Sequence, residues 1–362
     1  MKKEQNRKVI IGNLTEAEWN YIESNKGKLL NPRLDSTFKA IFTQPTEESR
    51  AALHSFLEAA TESKIDEVSF EPNGAAQQFG MQRNVDYDIN VRFSTGESAE
   101  IEMQAWQQNY DYGMRAEYQA ARLLSTYLGS GELWSEVKKV YQISILDYNY
   151  NPKSDEKTER RADGTVPKRA AINYYTMKAQ DGSRLSDILN IIFIELPRVK
   201  PADQTDEELS KLSLLEKWAL FFKYADNLNT SPIVKKITET EVGIMNAQNV
   251  LSSISSDRAL WLQQYHAEIR ERDRLSDLAG AREKAIKEGL AEGMEKGLAE
   301  GRATGLAEGR ATGLAEGKAT GLAEGRATGL AEGRAAAVEE LKKLLGEGVP
   351  LEEALEKVKG EK

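Results

Sequence analysis

The sequence predicts an α/β protein, a mixed β-sheet flanked by helices, followed by a helical, glycine-repeat C-terminal extension. Three observations predict it. Short runs rich in β-branched and aromatic residues alternate with longer stretches of helical apolar periodicity up to about residue 235. Two neighbouring runs, Asn84–Phe93 and Glu97–Trp106, alternate polar with apolar residues around Ser94, Thr95 and Gly96 and read as a β-hairpin. From Gly289 onward an octet repeats.

The elements follow in order. Residues 1–30 form a lead-in with a helix after Thr15. "DSTFKAIFTQPTEESRAALHSFLEAA" reads as two helices broken near Pro45; Phe38, Ile41 and Phe42 make one apolar stripe, and Leu53, Phe56 and Leu57 another. "KIDEVSFEP" reads as a first strand, before the hairpin. "YDYGMRAEYQAARLLSTYLGSG" is a helix ended by Gly129 and Gly131. "VKKVYQISILDYNY" is a strand, residues 151–170 a charged loop, and "AINYYTMKA" and "NIIFIEL" two more strands flanking the turn "QDGS". "SLLEKWALFFKYA" is an amphipathic helix, and residues 232–280 read as helical and polar.

The octet "GLAEGRAT" occurs six times, with variations, over residues 289–336, so glycine falls at every fourth position from Gly289 to Gly333. Four residues advance about 40° beyond a full helical turn, so no straight apolar stripe forms and the pattern is not a heptad coiled coil. Each glycine costs about 1 kcal/mol against alanine in a helix. The pattern fits either a marginal helix that firms up on association, its small residues admitting a close second backbone, or a low-complexity linker. The last residues, 337–362, read as two helices broken at "GEGVP". The expected organisation is therefore 1–30, 31–235, 236–288, 289–336 and 337–362.

Composition narrows the chemistry. The chain has 362 residues, a formal net charge of -9 and no cysteine, which excludes disulfides, thiolate zinc sites and cysteine nucleophiles. Only His54 and His266 supply imidazoles, so a cation held by acids is the metal chemistry left open. The acidic balance argues against general coating of duplex DNA. No signal-peptide h-region and no run of about 18 apolar residues is visible, and a soluble cytoplasmic protein is expected.

The hairpin is unusually acidic. With Ser94-Thr95-Gly96 as its loop, Asp88 falls opposite Glu102 and Asp86 opposite Gln104, all on one face, while Tyr87, Ile89, Val91, Ile101 and Met103 turn to the core. Opposed like charges destabilise a strand pair. A bound hard cation, Mg²⁺ or Mn²⁺, offsets them; the bland alternative is a solvated polar face on an open sheet.

Several pieces in order resemble the Rpn group of recombination-promoting nucleases, a set of PD-(D/E)XK nuclease family transposases. They are "DSTFKAIF", Asp88 followed by "EMQ" (Glu102–Gln104), "RAEY" at Arg115–Tyr118, "GELWSEVKKVYQISILD", "IFIEL" and "EKWALFF", with glycine-spaced C-terminal repeats. The resemblance implies a restriction-endonuclease-like sheet over residues 31–235 and a metal-dependent DNA endonuclease, associated with recombination or defence against foreign DNA. It implies catalytic roles for Asp88, Glu102 and Gln104, and metal ligation by Asp88, Glu102 and the Met103 carbonyl. Asp35, Lys39 and Asp86 are accessory candidates. Gln104 stands where many relatives outside the group carry a lysine, and Tyr87 where the signature has proline. DNA contacts would come from Arg115, Arg83 and Arg92, with Arg122 and the loop "KTERRADGTVPKRA" behind them. A homo-oligomer through the repeats is expected. The rival reading is a catalytically decayed regulatory or assembly protein that oligomerises through its tail.

Overall fold

The structure is a computed structural model that describes residues 14–73, 86–108, 110–126, 133–150, 169–199, 205–227 and 232–360. It divides into two compact units, residues 1–274 and 275–362.

The first unit is built on a six-stranded sheet in the order β1-β2-β3-β4-β6-β5. Its strands are β1 (Val68–Phe70), β2 (Ile89–Phe93), β3 (Ser98–Gln104), β4 (Val140–Leu146), β5 (Ile172–Thr176) and β6 (Leu189–Glu195). Strands β3, β4 and β6 run parallel, while β1, β2 and β5 pair antiparallel at the two edges. The mixed sheet is therefore the expected one. The hairpin register is also as expected: Ile89 faces Ile101 and Val91 faces Ala99. The loop closes with the Phe93 N–H donating to the Glu97 carbonyl at 2.8 Å, and Gly96 takes φ +90°, a conformation side chains disfavour.

The odd-numbered positions of β2, β3 and β4 and the even ones of β6 face one main core. There they meet α2 (Asp35–Thr43), α3 (Glu47–Thr61), α6 (Leu214–Tyr224), α7 (Pro232–Thr240) and α8 (Val242–Ile254). Phe38, Phe42, Phe56, Trp218 and Phe222 are buried together, with ring centroids 5.2–6.2 Å apart. Such rings add specific edge and tilted contacts to the burial of their area. Residues 232–254 contribute more core than their polar look predicts: Ile233, Val234, Ile237, Ile244, Val250 and Leu251 are all buried. The polar positions of these helices lie on the opposite stripe, which hides an ordinary amphipathic pattern.

Helix α1 (Glu16–Ser24) starts in a reciprocal capping box, Thr15 with Glu18, and α6 in another, Ser213 with Glu216. The start of α9 (Arg258–Gly346) packs on α1. Trp261 lies edge-on to Tyr21, and the Gln264 amide donates to the Tyr21 hydroxyl at 3.1 Å. The five-residue α5 (Asp206–Ser210) is a surface turn with its own Thr205–Glu208 box.

The other face of the sheet is covered by α4 (Tyr112–Thr126). Gly113 sits in its first turn, where a Cβ would collide with the Tyr150 hydroxyl. That hydroxyl donates to Asp111 Oδ1 at 2.8 Å, and the same oxygen accepts from the Gly113 N–H at 3.0 Å. The lack of a side chain at Gly113 thus lets Tyr150 fasten the start of α4.

In the second unit the octets lie within α9, and no neighbouring atom lies within 4 Å of a Cβ placed at any glycine from Gly289 to Gly333. The octet leucines, Leu290 to Leu330, are all exposed. After Gly348, at φ +85°, the chain turns into α10 (Leu351–Gly360), which buries Ala354. Among the described residues no helix is long and apolar enough to cross a membrane.

Candidate active site

Helix α4 roofs the β2–β3 face that the bland alternative leaves open, so that alternative does not apply to Glu100 and Glu102. Glu100 and Glu102 are fully buried. Glu102 is met by four groups. The Arg115 guanidinium donates at 2.8 and 3.1 Å, the Gln119 amide at 2.5 Å, the Gln104 amide at 2.9 Å, and the Tyr112 hydroxyl lies at 3.4 Å. Tyr112, Arg115 and Gln119 follow one another at helical spacing, so one stripe of α4 presents them all to the sheet. These donors offset the cost of taking the carboxyl group out of water. Across the sheet, Ser144 on β4 pairs with Glu102, and its hydroxyl meets Tyr112 at 2.9 Å.

Asp88 lies just before β2, directly across from Glu102. In the hydrogen-bonding alternation that starts at Phe93 and Glu97, Tyr87 and Met103 should form a bonded pair. They do not. The Tyr87 N–H donates to the Asn73 carbonyl at 2.8 Å, and the Met103 N–H donates to Asp88 Oδ2 at 3.0 Å. The Asp88 carboxylate has taken a ladder position. The Tyr87 N–H, the regular ladder donor to the Met103 carbonyl, is thereby spent on Asn73. The other Asp88 oxygen, Oδ1, lies 3.0 Å from Lys39 Nζ, and Lys39 also meets Asp35 at 2.8 Å. Lys39 is therefore more than one end of an i,i+4 pair: it ties α2 to the acidic hairpin.

Burial, reinforced by the charges of Glu102 and Asp35, pushes Asp88 up to about 7 against the pull of Lys39 and the Met103 N–H. Burial also pushes Glu100 well above the usual carboxylate range, and Glu102 beside it adds to the shift. Neither Glu100 oxygen meets a donor, and in its protonated form it can donate to Glu102. Arg115, with burial opposing, is held above its ordinary value by Glu102.

Two carboxylates and a freed backbone carbonyl on one edge are hard oxygen donors of the kind Mg²⁺ and Mn²⁺ take, with waters completing the shell. The residues present fit such a cation, provided that Lys39 and Arg115 yield. Among the described residues no three histidine or acidic side chains converge on one point, so the protein's share of the shell would be small.

The family described as PD-(D/E)XK nuclease family transposase matches residues 32–281. The chain belongs to that family. The restriction-endonuclease-like fold and the nuclease class follow from this membership, and the acidic hairpin lies within the matched residues. No curated protein and no solved structure matches the chain significantly.

The other residues named from the sequence are scattered. Asp86 is exposed, and Asp35 is joined to the site by Lys39 and by its charge, which acts on Asp88. Arg92 is paired with Glu71 at 3.2 Å, four residues along the strand from Asp88, or roughly 13 Å. Arg122 is buried, which removes it from the surface contacts expected of it. Arg83 and most of the charged loop lie outside the described residues. Sequence reasoning missed Tyr112, Gln119, Ser144 and the buried state of Glu100. One signal was available for two of them: polar residues at positions 112, 115 and 119 form a stripe on a helix whose remaining buried positions are mostly alanine and leucine.

Proposed function

We propose that this protein is a divalent-metal-dependent endodeoxyribonuclease that hydrolyses phosphodiester bonds at the Asp88–Glu102 edge. Mg²⁺ or Mn²⁺ would be held by Asp88, Glu102 and the Met103 carbonyl. The observation that carries the reading is the displaced ladder, in which the Asp88 carboxylate takes the Met103 N–H and leaves the Met103 carbonyl facing the same edge. When bound, the cation lowers the pKa of a coordinated water and offsets charge on the scissile phosphate.

The chain's own residues do the rest. Gln104 donates its amide to Glu102, which leaves its carbonyl to accept from and orient an attacking water. Gln119 and Tyr112 hold the Glu102 carboxyl in place. Arg115, about a third exposed and braced by the Tyr110 hydroxyl at 3.0 Å, can turn from Glu102 to a DNA phosphate. A part in recombination or in defence against foreign DNA is the physiological side of the same reading.

Plasmid cleavage with Mg²⁺, Mn²⁺, Ca²⁺ or EDTA, beside an Asp88→Ala plus Glu102→Ala variant, tests it. The expected result is cleavage with Mg²⁺ or Mn²⁺ that is lost in EDTA and in the variant. Cleavage that survives in the variant would move the chemistry elsewhere.

Two observations favour a second reading: among the described residues the donors that meet Glu102 are already engaged with it, and Gln104 stands at the position of the signature lysine. On that reading the site has decayed, and the chain assembles through the exposed leucines of its octets. No cleavage with any metal, together with an oligomer that dissociates when the chain ends at Gly280, would support it.

A further inference from the structure

The geometry points to Lys39 as a place-holding cation: it neutralises Asp88 while no divalent cation is bound, and turns to a substrate phosphate once one is. This rests on the nuclease reading above and adds a switching residue to it.

Lys39 Nζ occupies Asp88 Oδ1, the one Asp88 oxygen that the Met103 N–H leaves free. A divalent cation approaching Asp88 needs that same oxygen, and two cations cannot share it without mutual repulsion. The lysine has somewhere to go. Asp35 at 2.8 Å gives it a second anchor nearer to solvent, its own side chain is about a third exposed, and its four-carbon stem is flexible. Its backbone stays put, because Phe38, Ile41 and Phe42 root α2 in the core. The released ammonium would therefore stand at the mouth of the site. There it would supply the positive charge that Gln104, neutral and bonded to Glu102, does not.

A purely structural Lys39 would only fasten α2 to the hairpin. The two roles predict opposite metal affinities for a variant that lacks the charge. Titration calorimetry of the full chain with Ca²⁺ as the probe cation should show Lys39→Met binding at least threefold more tightly than the unaltered protein. In Ca²⁺, fluorescence anisotropy with a short DNA duplex should show the same variant at least threefold weaker, with the salt slope reduced by about one. Lys39→Arg, which keeps the charge, should stay near the unaltered protein in the DNA measurement, and far-UV melting confirms that both variants fold. Ca²⁺ affinity that is unchanged or weaker in Lys39→Met, or unaltered DNA affinity and salt slope, overturns the inference while leaving the metal site standing. Failure of the unaltered protein to bind Ca²⁺ overturns both, whereas Ca²⁺ binding lost in Asp88→Asn keeps the site reading intact.

Discussion

Asp88 lies one position off Met103 in the hairpin register, yet its carboxylate reaches across to accept the Met103 backbone N–H at 3.0 Å. A side chain has replaced a backbone acceptor at the end of a β-ladder. The strand pair stays closed there, yet a backbone carbonyl and a carboxylate are presented together.

Metal affinity should depend on pH through Asp88. Its carboxyl is pushed up to about 7, so below that value a cation must displace a proton. Binding is expected to weaken about tenfold per pH unit between pH 7 and pH 5 and to level off above pH 7.5. The stability of the metal-free protein should run the other way. A pKa raised above the unfolded value means that the folded state holds the extra proton, so the stabilising contribution is present at pH 5 and is lost as pH rises through 7. Calorimetric titrations and urea midpoints measured across this range check both trends, and Asp88→Asn should flatten them.

Arg115→Met should destabilise the metal-free protein. It leaves Glu102, fully buried, without its one cationic partner. Breaking a buried pair costs about 3–5 kcal/mol. Because the guanidinium is a third exposed and the amides of Gln119 and Gln104 remain, about 2 kcal/mol is expected. Urea denaturation reads the loss. Millimolar Mg²⁺ should restore part of it, and an Arg115→Met protein as stable as the parent would show that the pair contributes no net stability.

Gly113→Ala should lower stability by about 1–3 kcal/mol, the usual cost of overpacking. The added methyl meets the Tyr150 hydroxyl that fastens Asp111 at the start of α4. A double variant with Tyr150→Phe should recover part of the loss, because the colliding oxygen is gone. Thermal melts of the pair decide this.

Replacing tail glycines by alanine should act in the opposite direction. No neighbour blocks a methyl at Gly305 or Gly313. Each exchange should strengthen the helix by about 1 kcal/mol. The ellipticity at 222 nm should persist to higher temperature in the Gly305→Ala plus Gly313→Ala chain. If the octets serve close backbone approach between copies, the same exchange should also weaken self-association in sedimentation.

Much of the fold was legible because period and punctuation carry it. The hairpin register followed from the loop chemistry of Gly96, and α2 and α3 from two apolar stripes separated at Pro45. The core contribution of α7 was not, since a helix with one buried stripe reads as polar when averaged along its length; α8 is apolar by itself and was lost in reading 232–280 as one polar stretch.

By itself, the sequence determined the strand pairing that places Asp88 across from Glu102, because side-chain period and turn geometry are local. It could not determine what covers that face. The roof of α4, the four groups on Glu102, the isolation of Glu100 and the reach of Lys39 to Asp88 join residues that lie far apart along the chain. The α4 contacts exist because a parallel β3–β4 pair requires a crossover, and the crossover helix must pack its stripe somewhere; Lys39 reaches Asp88 from α2, rooted in the main core. Here the stripe is polar and lies on carboxylates, so tertiary packing decided that these acids are buried and paired rather than solvated.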